Sequence, residues 1–185
     1  MIGTLIWVLI GIAVLAVFII VFYFNRFAVL GNRIDNSLSQ IDVQLKRRAD
    51  LIPNLIETVK GYVKHEKGIM EDVTNARKAL MGAKDLVGKV KADDVLERAL
   101  GKLFAIAENY PNLKANENFA ELQRELAATE DKVAYSRQFY NDSILDYNNL
   151  VKTFPGAFFA SMFGKKEKDY IKIAPSEREV VKVKF

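Results

Sequence analysis

Residues 34–59 read IDNSLSQIDVQLKRRADLIPNLIETV, and their spacing decides the fold. Ile34, Leu38, Ile41, Leu45, Arg48, Ile52, Leu55 and Val59 alternate by four and three. The same register continues through Tyr62, Glu66, Ile69, Val73, Ala76 and Leu80, and twelve of these fourteen positions are apolar. A period near 3.5 held this long predicts a helix with one face buried against other helices. Pro53 sits inside the pattern and removes one backbone hydrogen bond. A kink, or a boundary between two nearly collinear helices, is expected there. Gly82, Gly88 and the polar residues between them end the element.

Toward the C-terminus two further helices are expected. Asp94 and Glu97 fit a capping box ahead of the apolar stripe Leu96, Ala99, Leu100, Leu103, Phe104 and Ala107, which Pro111 ends. The next helix opens near Asn116, an N-cap residue type, and runs to about Lys152. Phe119, Leu122, Leu126, Val133, Tyr140, Ile144, Tyr147 and Val151 mark its buried face, and Pro155 and Gly156 stop it. No segment of this region alternates with period two over a useful length. The expected fold is all-α: an antiparallel helical bundle with a long kinked first helix.

Toward the N-terminus the solvent changes. Residues 1–25 carry no Asp, Glu, Lys or Arg, so every charge falls after them. Ile2 to Phe24 would span roughly 34 Å as a helix, enough for a ~30 Å hydrocarbon core, and lipid leaves such a run no other way to satisfy its backbone. Trp7 and Tyr23 sit toward its two ends, where amphipathic rings favour the interface. A cleaved signal peptide would need a basic leading region and a shorter apolar stretch. The expectation is a single-pass cell-membrane protein. Its divisions are an anchor (1–25), a helical bundle (26–153) and an aromatic-rich, then basic, tail (154–185). Arg26 and Arg33 follow the span and no cation precedes it, which places the bundle on the cytoplasmic side.

A net charge of +4 does not make this a nucleic-acid binder, because the basic residues interleave with acids and lack aromatics spaced for stacking. The absence of cysteine removes disulfides, thiolate metal sites and Cys nucleophiles. His65-Glu66 is half of a zinc-protease motif, but the chain has one histidine. Glu121, Glu125, Glu130 and Asp131 lack the Glu-x-x-His pairs of a di-iron bundle and fit an exposed ion-paired face. Asp93 and Asp94 fit helix caps. Neither a catalytic set, a metal site nor a cofactor site is expected.

Polar residues crowd the first helix, Asn54 among them, and Arg48 takes a seam position. A charge buried there needs a partner, and Glu130 on the last long helix is the acid expected to supply it. Tyr140 and Tyr147 lie one heptad apart. Their hydroxyls, with Asn141 and Asn148 beside them, are expected to bond the first helix and set register. The lengths also leave the seam between Ile34 and Leu45 without a mate unless the chain folds back. That stalk is expected either to pair with a second copy or another protein as a coiled coil, or to be covered by residues 154–185. Phe154, Phe158, Phe159, Met162 and Phe163 form a patch for a partner or the bilayer, or a cover for the bundle end. Val180 to Phe185 is a candidate added strand.

Two blocks of residues resemble the LemA family. The first is Asn32–Asn36 and Gln40–Leu55, with Glu57–Tyr62 and His65-Glu66. The second is Tyr110–Phe119, with Leu122-Gln123, Thr129-Glu130, Arg137, the pairs Tyr140-Asn141 and Tyr147-Asn148, and Phe154-Pro155. The resemblance covers about residues 1–164. It implies a bacterial-type membrane protein with an antiparallel four-helix bundle, and it implies no reaction. Together these readings point to a membrane-anchored, non-enzymatic scaffold or adaptor, working by self-association or with another membrane protein. The alternative is a regulatory subunit of a membrane-bound enzyme such as a protease.

Overall fold

In the computed structural model of the chain, residues 2–63 and 66–171 are described. His65 and the Val180–Phe185 stretch lie outside them. The described residues are helical or irregular, in the order α1 (Ile2–Lys60), α2 (Lys67–Gly82), α3 (Leu86–Ala107), α4 (Pro111–Lys114), α5 (Glu117–Lys152) and α6 (Gly156–Met162). They divide into two compact units, one of residues 38–137 and one of residues 1–37 with 138–185. The long helices α1 and α5 contribute to both.

The 38–137 unit is the four-helix core. Segment 38–60 of α1, helices α2 and α3, and segment 117–137 of α5 bury Ile41, Leu45, Ile52, Leu55, Val73, Leu80, Leu96, Leu103, Leu126 and Val133. The heptad predicts this burial in both α1 and α2. The helix does not end at Pro53, however, but runs on to Lys60, and α2 opens at Lys67. Proline has no N–H to give the carbonyl of Ala49, four residues earlier. Arg77 of α2 supplies the missing donor, its Nε lying 2.7 Å from that oxygen. The break falls instead where Gly61 lowers helix propensity and where two of the less apolar seam positions, Tyr62 and Glu66, follow.

Two further expectations are corrected in this unit. Helix α3 begins at Leu86, so Asp93 and Asp94 are interior residues and not caps, and Gly88 lies inside the helix. Buried Val90 extends the apolar stripe one turn ahead of Asp93, and that packing outweighs the local capping pattern. Helix α3 stops at Ala107, and Pro111 opens the short α4. Asn116 does cap α5, its Oδ1 accepting the Phe119 N–H at 3.0 Å.

The other unit holds the apolar run, the last part of α5, α6 and the segment to Ile171. Residues 2–22 are exposed throughout, and α1 is the one described helix long and apolar enough to cross a membrane. The seam that would lack a mate unless the chain folds back is covered within the chain: Ile34 is buried in this unit, and Ile41 and Leu45 in the other. Folding back of the later helices supplies the cover. The aromatic stretch splits in two. Phe159 stacks on Tyr23 at 4.5 Å, and Phe163 meets Phe24 and Phe27, while Phe154, Phe158 and Met162 stay exposed.

Candidate functional site: a buried ion network and an asparagine ladder

Arg48, Asp93 and Arg137 put charge at seam positions of the 38–137 unit where leucine would be ordinary. Arg48 on α1 has a side chain 2% exposed. Its Nη1 donates to Asp93 Oδ1 at 3.0 Å and its Nη2 to Glu130 Oε2 at 3.3 Å. Arg137 on α5 donates to the other Asp93 oxygen at 2.9 Å and to Asp94 at 3.3 Å. Asp93 therefore bridges two guanidinium groups and joins α1, α3 and α5. Burial pushes its carboxyl above the ordinary 3.8, and Arg48 and then Arg137 pull it part of the way back. Burial likewise raises Glu130, again against Arg48.

Asp93, Asp94 and Glu130 are each held by an arginine, so the contacts tie α3 to α1 and α5. Glu130 is the partner expected for Arg48, but Asp93 is closer and far more buried. It could have been found: Val90, Asp93, Leu96, Leu100 and Leu103 share one stripe, so Asp93 occupies a seam position as Arg48 does. Arg137 falls between Val133 and Tyr140 in the same way. Glu125 pairs with Arg47 at 3.6 Å on an exposed face. Asn54 and Pro53 are exposed, and neither joins the network. Among the described residues no group of three acids or histidines is placed to hold a metal.

In the other unit the hydrogen bonds of the two Tyr-Asn pairs of α5 go to the C-terminal segment and not, as expected, to the first helix, although the Tyr147 ring packs edge-on against Phe27 of α1. Asn148 Nδ2 donates to the Lys168 carbonyl at 2.9 Å, and its Oδ1 accepts the Lys168 N–H at 2.9 Å. Asn141 repeats both bonds on Ile171, at 3.1 and 2.9 Å. Between the rungs the Tyr140 hydroxyl donates to the Asp169 carbonyl at 3.4 Å, and the Lys168 ammonium lies over the Tyr147 ring. Burial raises both tyrosine hydroxyls above their usual 10, helped at Tyr140 by Asp169 and Asp35, so both keep their protons.

The ladder has a dimensional logic. Its rungs are seven residues apart on a helix, about 10.5 Å of rise. The rungs they read are three residues apart, and three residues cover about 10 Å only when nearly extended. The segment must therefore run almost straight, antiparallel to α5. The sequence concealed this because an extended segment held by its backbone has no side-chain period to read.

The family model described as "LemA family" matches residues 37–185, which include the ion network and the ladder. The chain belongs to the LemA family. Magnetosome protein MamQ of Magnetospirillum gryphiswaldense is 24% identical over 179 residues, covering 83% of this chain and 66% of that protein. Magnetosome protein MamQ 2 of Paramagnetospirillum magneticum is 24% identical over 182 residues with the same coverage. Protein LemA of Metamycoplasma hominis is 26% identical over 124 residues, covering 66% of this chain and 57% of that protein. This LemA-family chain thus spans about two thirds of the length of the first two relatives, and none of the three carries an enzyme's name.

Proposed function

We propose that this LemA-family chain is a non-enzymatic, membrane-anchored scaffold or adaptor. Residues 2–24 cross the bilayer, the bundle lies on the cytoplasmic side, and the work is assembly with a second copy or another membrane protein. The observation that carries this reading is the asparagine ladder. Asn141 and Asn148 grip an extended segment by four hydrogen bonds to its main chain, which is how a surface holds a peptide while leaving its side chains free. The ion network supports the same reading, since its acids are engaged in holding helices together.

Crosslinking in native membranes, followed by gentle extraction and mass analysis, tests the proposal. A ladder of self-multiples supports a self-assembling scaffold. A single defined adduct with one other membrane protein supports a regulatory-subunit role, with that partner's chemistry as the next clue. Recovery of uncrosslinked single chains alone overturns the assembly reading.

A further inference from the structure

The short helix α6 has two faces in different surroundings. Its inner face is Phe159 and Ala160, both buried. Phe159 lies parallel to the ring of Tyr23 at 4.5 Å, and Phe163, just after the helix, meets Phe24 and Phe27 edge-on at 5.6 and 6.2 Å. Its outer face carries Phe158, 64% exposed, and Met162, 48% exposed, one turn apart. Phe154, 89% exposed, adds to them from the turn before the helix. Isolated exposed apolar residues are ordinary, but three together on one short stretch are not.

Position says what covers them. Tyr23 and Phe24 end the apolar run, and Arg26 is the first charge after it. A helix stacked on Tyr23 sits at the level where hydrocarbon gives way to headgroups, the depth that aromatic side chains favour. Lys165 and Lys166 follow at once and are exposed, the arrangement of an interfacial helix with apolar residues inward and cations toward anionic headgroups. Gly156 makes the seat possible. A Cβ there would collide with the Leu150 carbonyl, so only glycine lets the chain turn this close to the end of α5.

We propose that α6 is a second membrane contact, an interfacial foot that inserts Phe154, Phe158 and Met162 into the same leaflet that Tyr23 exits. This rests on the membrane-anchored reading above and adds a lipid-binding surface to it. The foot would fix the rotation and tilt of the chain at the bilayer, which a single span leaves free.

The chain has one tryptophan and no cysteine, so each probe can be unique. The full-length chain is placed in vesicles of phosphatidylcholine and phosphatidylglycerol. Trp7 of the unsubstituted chain reports the span, and the double variant Trp7→Phe with Phe158→Trp reports the foot. Quenching of Trp7 by chain-brominated lipid shows that the span is inserted; if that fails, the anchor reading fails. With Trp7 quenched, the foot predicts that the double variant emits at a blue-shifted wavelength. That emission should be quenched by lipid brominated near the headgroup and sheltered from aqueous iodide. Red-shifted emission open to iodide overturns the foot and leaves the anchor standing. A nitroxide on Phe154→Cys gives the second reading. Greater access to oxygen than to a water-soluble nickel chelate is expected. The reverse order, or shielding from both as by a protein partner, overturns the proposal.

Discussion

Replacing Arg48 by methionine isolates the worth of the buried network. Methionine fills the aliphatic part of the site, so the loss is the guanidinium and its two bonds. One of those bonds reaches Glu130, whose side chain is half exposed and can return to water, and such a contact is worth below about 1 kcal/mol. The other reaches Asp93 Oδ1, whose side chain is 2% exposed. Leaving that oxygen without a partner costs about 1–3 kcal/mol. The full penalty of an orphaned buried charge, about 3–5 kcal/mol, does not apply, because Arg137 still holds the second oxygen. A loss near 2 kcal/mol corresponds to a fall in Tm of about 4–8 °C for a chain of this size.

The pH dependence gives this prediction its sign. The Asp93 carboxyl is already raised by burial, with Arg48 as the largest influence lowering it. Without Arg48 it rises further. A carboxyl raised in the folded state contributes stability that is fully present below its ordinary value and lost as pH rises through the folded value. The deficit of Arg48→Met against the parent is therefore larger toward neutral and basic pH and shrinks on acidification, as Asp93 takes up a proton. Thermal unfolding of both proteins in detergent, followed by circular dichroism at an acidic and a basic pH, measures it. An Arg48→Met variant as stable as the parent at the higher pH, or a deficit that grows on acidification, would show that Asp93 does not depend on Arg48.

The remaining predictions concern contacts that tie distant parts of the sequence. Arg77→Met leaves the Ala49 carbonyl with neither of its donors and is expected to cost about 1–3 kcal/mol in urea unfolding. Adding Pro53→Ala restores a helical N–H and should recover most of that loss, whereas additive losses would show that the two are unlinked. Asn141→Ala with Asn148→Ala removes four bonds to the tail, each worth about 0.5–1.5 kcal/mol. Hydrogen exchange at Lys168 and Ile171 is expected to speed up strongly while exchange in α3 is unchanged. Gly156→Ala forces α6 off its seat, read as lost near-ultraviolet dichroism from the Tyr23–Phe159 stack.

What was legible in the sequence was periodic or local. The heptad from Ile34 to Leu80 announced the buried faces of α1 and α2, the uncharged run announced a helix long and apolar enough to cross a membrane, and Asn116 announced the start of α5. A charge at Arg48 announced a need for a partner because water is excluded there whatever the partner is. What stayed hidden depended on contacts between remote residues. Pro53 reads as a break until a donor from Arg77, 28 positions beyond Ala49, is known to answer it. Asp93 reads as a cap because caps and buried ion pairs use the same residue type, and only its place on the α3 stripe separates them. Asn141, Asn148 and the Tyr140 hydroxyl bond a segment whose recognition is by backbone, so no residue type in that segment could advertise it.

The two-rung ladder constrains this chain's descendants in an unusual way. Asn141 and Asn148 read peptide groups, which all residues except proline present alike, so Lys168 and Ile171 are free to drift in identity. The count of residues between them is not free. Two helical turns match three nearly extended residues and no other whole number, so a single insertion or deletion between positions 168 and 171 would put one rung out of reach. Across homologues that keep both asparagines, this stretch should vary in composition and hold its length.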